Sequence, residues 1–213
     1  MLVLASASPR RRELLTQAGF QFTIHPANIP EDPHPNEDPI HYVTRLARQK
    51  AEAVFHELMG APGLDSETWE REAALHGLTV LGADTTVTLD SHILGKPESP
   101  EDAARILRLL SGRTHRVITG VSLVYPNRAE GAPAHAVSIQ TAAEVTAVQF
   151  LTLSESEIQH YIATGEPSDK AGAYAIQGHA ARWIPRIHGC YYNVVGLPIA
   201  LVATLLDAAA RKP

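Results

Sequence analysis

The spacing of apolar and polar positions divides the chain into short strands and longer helices. Leu2 to Ser6 is an apolar run of strand length. Ser8-Pro9 follows as a helix N-cap with proline at the first helical position, and Gly19 closes a helix over residues 9–18. Phe20 to His25 alternates and predicts a strand, whereas Pro26 to Pro39 carries five prolines and several acids and predicts a loop. After Asp38-Pro39, a helical stripe runs through Ile40, Val43, Leu46, Ala47, Ala51, Val54, Phe55 and Leu58. Residues 60–77 read as a surface connection with a helical turn around Ser66 to Leu75. Val80 to Leu89 and Ile93-Leu94 predict a hairpin turning at Asp90-Ser91. Ser99-Pro100-Glu101-Asp102 starts a third helix that stops at Ser111-Gly112, its early acids matching the helix dipole. Runs 114–125 and 136–150 predict two long paired strands, and Ser154-Glu155-Ser156-Glu157 is a capping box for a helix to Thr164. A turn-rich segment over 165–181, a strand near 182–187, a glycine-bounded loop and a helix from Pro198 complete a mixed α/β pattern without internal repeats.

Composition narrows the class. The 213 residues are 45% apolar and 19% charged, which predicts a packed core in one α/β domain or two small lobes sharing a cleft. A formal charge of −5 argues against a general nucleic-acid or membrane-surface binder, so an anionic ligand needs cations supplied locally. The single cysteine, Cys190, allows no intrachain disulfide, and the eleven histidines lack zinc-site spacing. Leu2-Val3-Leu4-Ala5 is too short for an export signal or a membrane span, which leads to the expectation of a soluble cytoplasmic protein.

Three segments carry chemistry. In Ser6-Ala7-Ser8-Pro9-Arg10-Arg11-Arg12, three arginines occupy the first helical turn, where cations are disfavoured by about 0.3–1 kcal/mol each. Such a run is either a solvated basic patch or, together with the helix N-terminal amides, a receptor for a phosphate chain. In Gly82-Ala83-Asp84-Thr85-Thr86, a carboxylate interrupts an apolar strand. Buried, it requires a partner or a cation and could orient a water; on an edge strand it would simply be solvated. Lys96 in Leu94-Gly95-Lys96-Pro97 does not belong to a P-loop, yet it follows the hairpin that begins near Asp84. Lys50 stands four positions after Leu46 and four before Val54, where it either snorkels out or faces a polar cleft. Glu31 in the proline-rich loop is a second candidate oxygen ligand or a solvated acid. In Asp169 to Gly178, glycines permit turns around a short apolar strand, and Gln177 offers a donor and an acceptor that match the 4-keto oxygen and N3–H of uracil or thymine. An amide can also flip to suit cytosine, and Asp169-Lys170 can equally be a plain ion pair.

Leu4-Ala5-Ser6-Ala7-Ser8-Pro9-Arg10-Arg11, Gly82-Ala83-Asp84-Thr85, Gly95-Lys96-Pro97, Leu110-Ser111-Gly112, Asp169 to Gly178 and Asn193-Val194-Val195-Gly196-Leu197-Pro198 closely resemble the Maf nucleotide pyrophosphatases, in family order and across nearly the whole chain. The resemblance implies an α/β fold shared with the inosine-triphosphate pyrophosphatases: an elongated mixed sheet flanked by helices, with a cleft between two lobes of one domain spanning 1–213, commonly dimeric. It implies hydrolysis of dTTP and UTP to the monophosphate and pyrophosphate with Mg²⁺ or Mn²⁺. Asp84 falls at the catalytic, proton-accepting position. Arg10, Thr85 and Gln177 fall where base specificity is set, and Ser8, Arg11, Lys50 and Lys96 where the phosphates are bound. Glu31 would join Asp84 at the metal. The loop acid is often an Asp-Glu pair in the family, whereas Pro30 precedes Glu31 here, and Ser168 stands where a larger residue is common. The alternatives are a pyrophosphatase for 7-methyl-GTP or modified nucleotides, and a nucleotide-binding regulator of septum formation.

Overall fold

A computed structural model describes residues 1–59, 77–90, 92–127 and 136–211. The helical turn expected around Ser66 to Leu75 lies outside the described residues. The elements are β1 (Leu2–Leu4), α1 (Pro9–Gln17), β2 (Thr23–Ile24), α2 (Pro39–Met59), β3 (Thr79–Leu89), β4 (His92–Leu94), α3 (Pro100–Leu110), β5 (Thr114–Pro126), β6 (Val137–Gln149), α4 (Glu155–Ala163), β7 (Arg186–His188), α5 (Tyr191–Val195) and α6 (Ile199–Ala210). They build a mixed seven-stranded sheet in the order β2-β1-β3-β5-β6-β7, with β4 paired to β3 beside that path. β1 runs parallel to β2 and β3, and every other pairing is antiparallel.

Helix starts follow the local chemistry. The Ser99 side chain accepts from the Asp102 amide, and Ser154 and Glu157 form a full capping box. Two expectations shift. The strand anticipated near 182–187 is a 3₁₀ turn over His179–Trp183 followed by β7 at Arg186–His188. The short strand expected inside Asp169–Gly178 is replaced by 3₁₀ turns, with Gly172 at φ 70°. Left-handed backbone there breaks the extended run that the apolar residues alone suggest.

The core lies in separate clusters on the two faces of β3 and β5. On one face, Leu81, Ala83, Val121 and Leu123 pack under α1 and α6, while Val87, Leu89 and Val117 pack under α3 and α4. Thr85, opposite Thr119, sits between these clusters on that face. On the other face α2 lies across Val80 and Val124. It comes unusually close there, because Gly82 and Gly120 present no side chain. A Cβ on Gly82 would lie 2.0 Å from the Ala47 carbonyl oxygen, and one on Gly120 2.3 Å from that of Val43. Either substitution must push the helix off the sheet. Gly82→Ala is expected to lower stability by about 1–3 kcal/mol, as overpacking does. At this chain length, calorimetry should show a fall of roughly 2–12 °C in Tm.

Strand ends create the opening. β1 pairs with β3 as far as Leu81, where the Ala5 amide donates to the Leu81 carbonyl, and pairing with β4 starts only at Val87, opposite Leu94. Between them, residues 83–86 of β3 have no strand neighbour on that side among the described residues. A crevice beyond the carboxyl end of a parallel strand is where open α/β sheets place their ligands.

Candidate functional site

The crevice is a cleft of about 730 Å³, and Ser8, Arg10, Arg11, Glu31, Lys50, Asp84, Thr85, Lys96 and Gln177 all line it. Residues from the β1–α1 turn, the proline-rich loop, α2, β3, the segment after β4 and the 165–181 segment therefore meet on one surface. Asp84 leaves β3 on the face covered by α2, two residues beyond Gly82. Lys50 stands one helical turn beyond Ala47, the residue whose carbonyl abuts Gly82. Close packing at the glycine thus sets the ion pair. Lys50 Nζ donates to Asp84 Oδ1 at 2.7 Å and lies 2.6 Å from Glu31 Oε1. Lys50 and Asp84 are each 7% exposed, so Lys50 turns into the cleft and does not snorkel.

Electrostatics separate the two acids. Burial pushes the Asp84 carboxyl above its ordinary value of 3.8, against the pull of Lys50 and Arg11. Burial would raise Glu31 as well, but its hydrogen bond to Lys50 and the charges of Lys50, Lys96 and Arg11 together hold it below the usual range. The raised Asp84 value binds protons in the folded state that the unfolded chain has released. Ionising Asp84 therefore lowers stability as pH rises above 3.8, while supplying the form able to accept a proton. Activity should accordingly show an acid limb above pH 3.8 in its kcat/KM profile, which reports the free enzyme. The residual rate of Asp84→Asn should lack that limb.

Arg11 is largely committed to the protein. Nε donates to the Gly196 carbonyl at 2.9 Å, Nη1 to Ser6 Oγ at 3.1 Å and the Ala83 carbonyl at 2.8 Å, and Nη2 to Thr85 Oγ1 at 3.0 Å. A guanidinium has five N–H donors, so one remains for a ligand. This side chain occupies part of the gap left by the missing strand and ties β1, β3 and the Gly196 turn together. Thr85 Oγ1 also lies 2.9 Å from Thr119 Oγ1 and donates toward the Gly196 carbonyl at 3.3 Å. Ser8 caps α1 through the Arg11 amide, at 3.5 Å. The side chains of Arg10, Lys96 and Gln177, by contrast, form no hydrogen bond or ion pair among the described residues. Arg12 does not line the cleft.

Tyr42 was not evident in the sequence. Its hydroxyl donates to the Glu31 carbonyl at 2.8 Å, and burial, with Asp84 and Glu31 nearby, pushes it up to about 12, so it stays protonated. Its spacing of eight residues from Lys50 on one helix was the available signal. Arg45 further holds the loop to α2, bonding Glu37 at 2.7 Å and the Asp32 carbonyl at 3.1 Å. Lys170, paired with Asp169, also faces the cleft. Arginine and lysine outnumber acids on the lining by five to four, although the chain as a whole carries −5.

The fold and cleft define a mixed α/β protein in which cations surround a buried, lysine-bonded carboxylate at a break in strand pairing. The chain matches the family described as Maf-like protein over residues 1–209, and it belongs to that family. A relative from Koribacter versatilis, named dTTP/UTP pyrophosphatase, is 47% identical over 208 residues, covering 98% of this chain and 94% of that protein. Relatives of the same name from Moorella thermoacetica and Thermococcus onnurineus are 47% and 46% identical; the alignments cover 96% and 97% of this chain, and 93% and 97% of those proteins. Among the described residues, no helix is long and apolar enough to cross a membrane.

Proposed function

We propose that this protein is a nucleoside triphosphate pyrophosphatase that hydrolyses dTTP and UTP to the monophosphate and pyrophosphate. The observation that carries the reading is the buried Lys50–Asp84 pair, at 2.7 Å, in the same cleft as Arg10, Lys96 and Gln177, which are free of protein partners among the described residues. The names of the relatives supply the substrate. In this reading the triphosphate lies along Lys96, Lys50 and the remaining Arg11 donor. The charge developing on its oxygens is stabilised by these preplaced cations. Ionised Asp84 accepts the proton of the water that attacks the α-phosphorus, while Lys50 keeps the carboxylate oriented. Arg10, Gln177 and, from the cleft floor, Thr85 discriminate the base.

A divalent ion fits this donor set. Asp84 Oδ1 and Glu31 Oε1 converge on one point, the Lys50 ammonium, and each carboxylate has a second oxygen without a bond among the described residues. No group of three or more acidic, histidine or cysteine side chains arranged to hold a metal ion occurs among the described residues. Two carboxylates suit Mg²⁺ or Mn²⁺, which draw their remaining ligands from water and substrate phosphates. When bound, such an ion supplies charge neutralisation and a more acidic water. A homodimer is the assembly the family resemblance supports, and light scattering tests it.

Pyrophosphate release from dTTP, UTP, CTP and 7-methyl-GTP, with and without Mg²⁺, tests the proposal. Highest kcat/KM for dTTP and UTP, with loss of turnover on chelation, is the expected outcome. Preference for 7-methyl-GTP would reassign the substrate.

A further inference from the structure

Gln177 stands exposed on the cleft wall and makes no hydrogen bond to protein among the described residues. Its position is therefore set by the backbone turn that carries it. The Gly178 amide closes this turn on the Ala175 carbonyl at 3.0 Å. Both ends of the turn rest on two side chains that do not line the cleft. The Ala175 N–H donates to the Tyr161 hydroxyl at 3.1 Å, and the His179 N–H donates to Glu166 Oε2 at 3.2 Å. The Tyr161 hydroxyl in turn donates to Glu166 Oε1 at 2.6 Å. A Cβ at Gly178 would lie 2.2 Å from that carboxylate, so Glu166 seats directly against the backbone of the turn.

Tyr161 is itself held firmly. Its ring is 3% exposed and stands edge-on to Trp183, with centroids 5.0 Å apart. Just before the turn, Tyr174 is buried edge-on to Phe150 at 4.8 Å, with its hydroxyl 2.8 Å from His115 Nε2. Two amides flanking Gln177 thus end on one phenol–carboxylate pair anchored in the aromatic core.

We propose that Tyr161 and Glu166 are positioning residues for base selection. By fixing the Ala175–His179 turn they hold Gln177 toward the 4-keto, N3–H edge of a pyrimidine nucleotide. This rests on the reading of Gln177 given above. Gln177, whose amide could otherwise turn to suit cytosine, selects a base only while its backbone holds it in register with Arg10 and Thr85, and hydrogen bonds to a carboxylate are among the stronger means of placing that backbone.

The test compares kcat and KM for UTP and CTP in the wild type, Gln177→Ala, Tyr161→Phe, Glu166→Gln and Glu166→Ala. Tyr161→Phe and Glu166→Ala should each narrow the UTP-over-CTP ratio of kcat/KM by about tenfold, the effect of losing one such bond. The change should come through KM for UTP, with kcat held within about twofold. Glu166→Gln keeps an acceptor for Tyr161 and should fall between wild type and Glu166→Ala. If Glu166→Ala does not fold, Tyr161→Phe and Glu166→Gln decide the matter. An unchanged ratio in the brace variants, with a collapsed ratio in Gln177→Ala, overturns the positioning role and leaves Gln177 as the base reader. An unchanged ratio in Gln177→Ala overturns both. Equal losses of kcat for the two nucleotides in folded brace variants reduce the pair to a structural prop and also overturn the proposal.

Discussion

Asparagine in place of Asp84 should lower kcat for UTP by about 10²–10⁴, the usual contribution of a positioned proton acceptor. The substitution is nearly isosteric, and its amide oxygen can still accept from Lys50, which lies 2.7 Å from the aspartate. What disappears is the capacity to take a proton at neutral pH. KM should move far less, because Arg10 and Lys96 reach the cleft from other elements and remain in place. Stability should hold or rise slightly at neutral pH, since a buried neutral amide replaces a carboxylate that burial already penalises. Initial rates of pyrophosphate release, with a melting curve for each variant, check both parts. Wild-type turnover in Asp84→Asn would remove the carboxylate from the reaction.

Methionine in place of Lys50 should damage folding and catalysis together. Asp84 is then left buried without its cation, and Glu31 adds a second negative charge that already pushes Asp84 upward. Breaking one side of a buried ion pair costs about 3–5 kcal/mol. The penalty belongs to ionised Asp84. Its folded-state pKa rises further above the unfolded value, so the loss should grow as pH rises and shrink as pH falls toward the ordinary carboxylate range. Activity at neutral pH should fall by at least about 10², from loss of both charge stabilisation and carboxylate orientation. Adding Asp84→Asn to Lys50→Met should restore much of the stability and none of the activity. Denaturant melts from the ordinary carboxylate value of 3.8 up to neutral pH measure the coupling. A flat, pH-independent loss would show that Lys50 contributes packing alone.

Much of the fold was legible because local rules and tertiary packing agree in it. Ser8-Pro9, Ser99-Pro100 and the Ser154–Glu157 box start helices where capping chemistry requires, and the long alternating runs become β5 and β6. The 165–185 stretch was less legible. Its apolar residues Ala173, Ala180 and Trp183 enter a core from 3₁₀ turns, whose short period leaves no clear pattern. Helix α5 was hidden by its length, because five residues are too few to show a helical period.

The candidate site was legible as a set of residue types, and less so as a set of contacts. A carboxylate inside an apolar strand and arginines at a helix start both violate local preference, and such violations mark sites. The division of labour among them is a tertiary fact. Nothing in the order of residues distinguishes Arg11, with four donors spent on the protein, from Arg10, with none. Lys50 looked equally suited to reaching solvent, because the reason it does not is the closeness of α2 over Gly82 and Gly120. Gly120, a lone glycine inside a predicted strand, was a local hint of that close approach. Glu166 and Tyr161 were silent, since the turn they hold exists only after the chain folds back upon α4.

In the proposed reaction, water attacks the α-phosphorus of a pyrimidine triphosphate under the control of Asp84 and Lys50. Hydrolysis of UTP in isotopically labelled water, followed by phosphorus NMR and mass spectrometry of the products, tests it most directly. UMP and pyrophosphate are the expected first products, with the label in UMP alone and formation suppressed in Asp84→Asn. Label in pyrophosphate, or UDP and phosphate as first products, would contradict the proposed reaction.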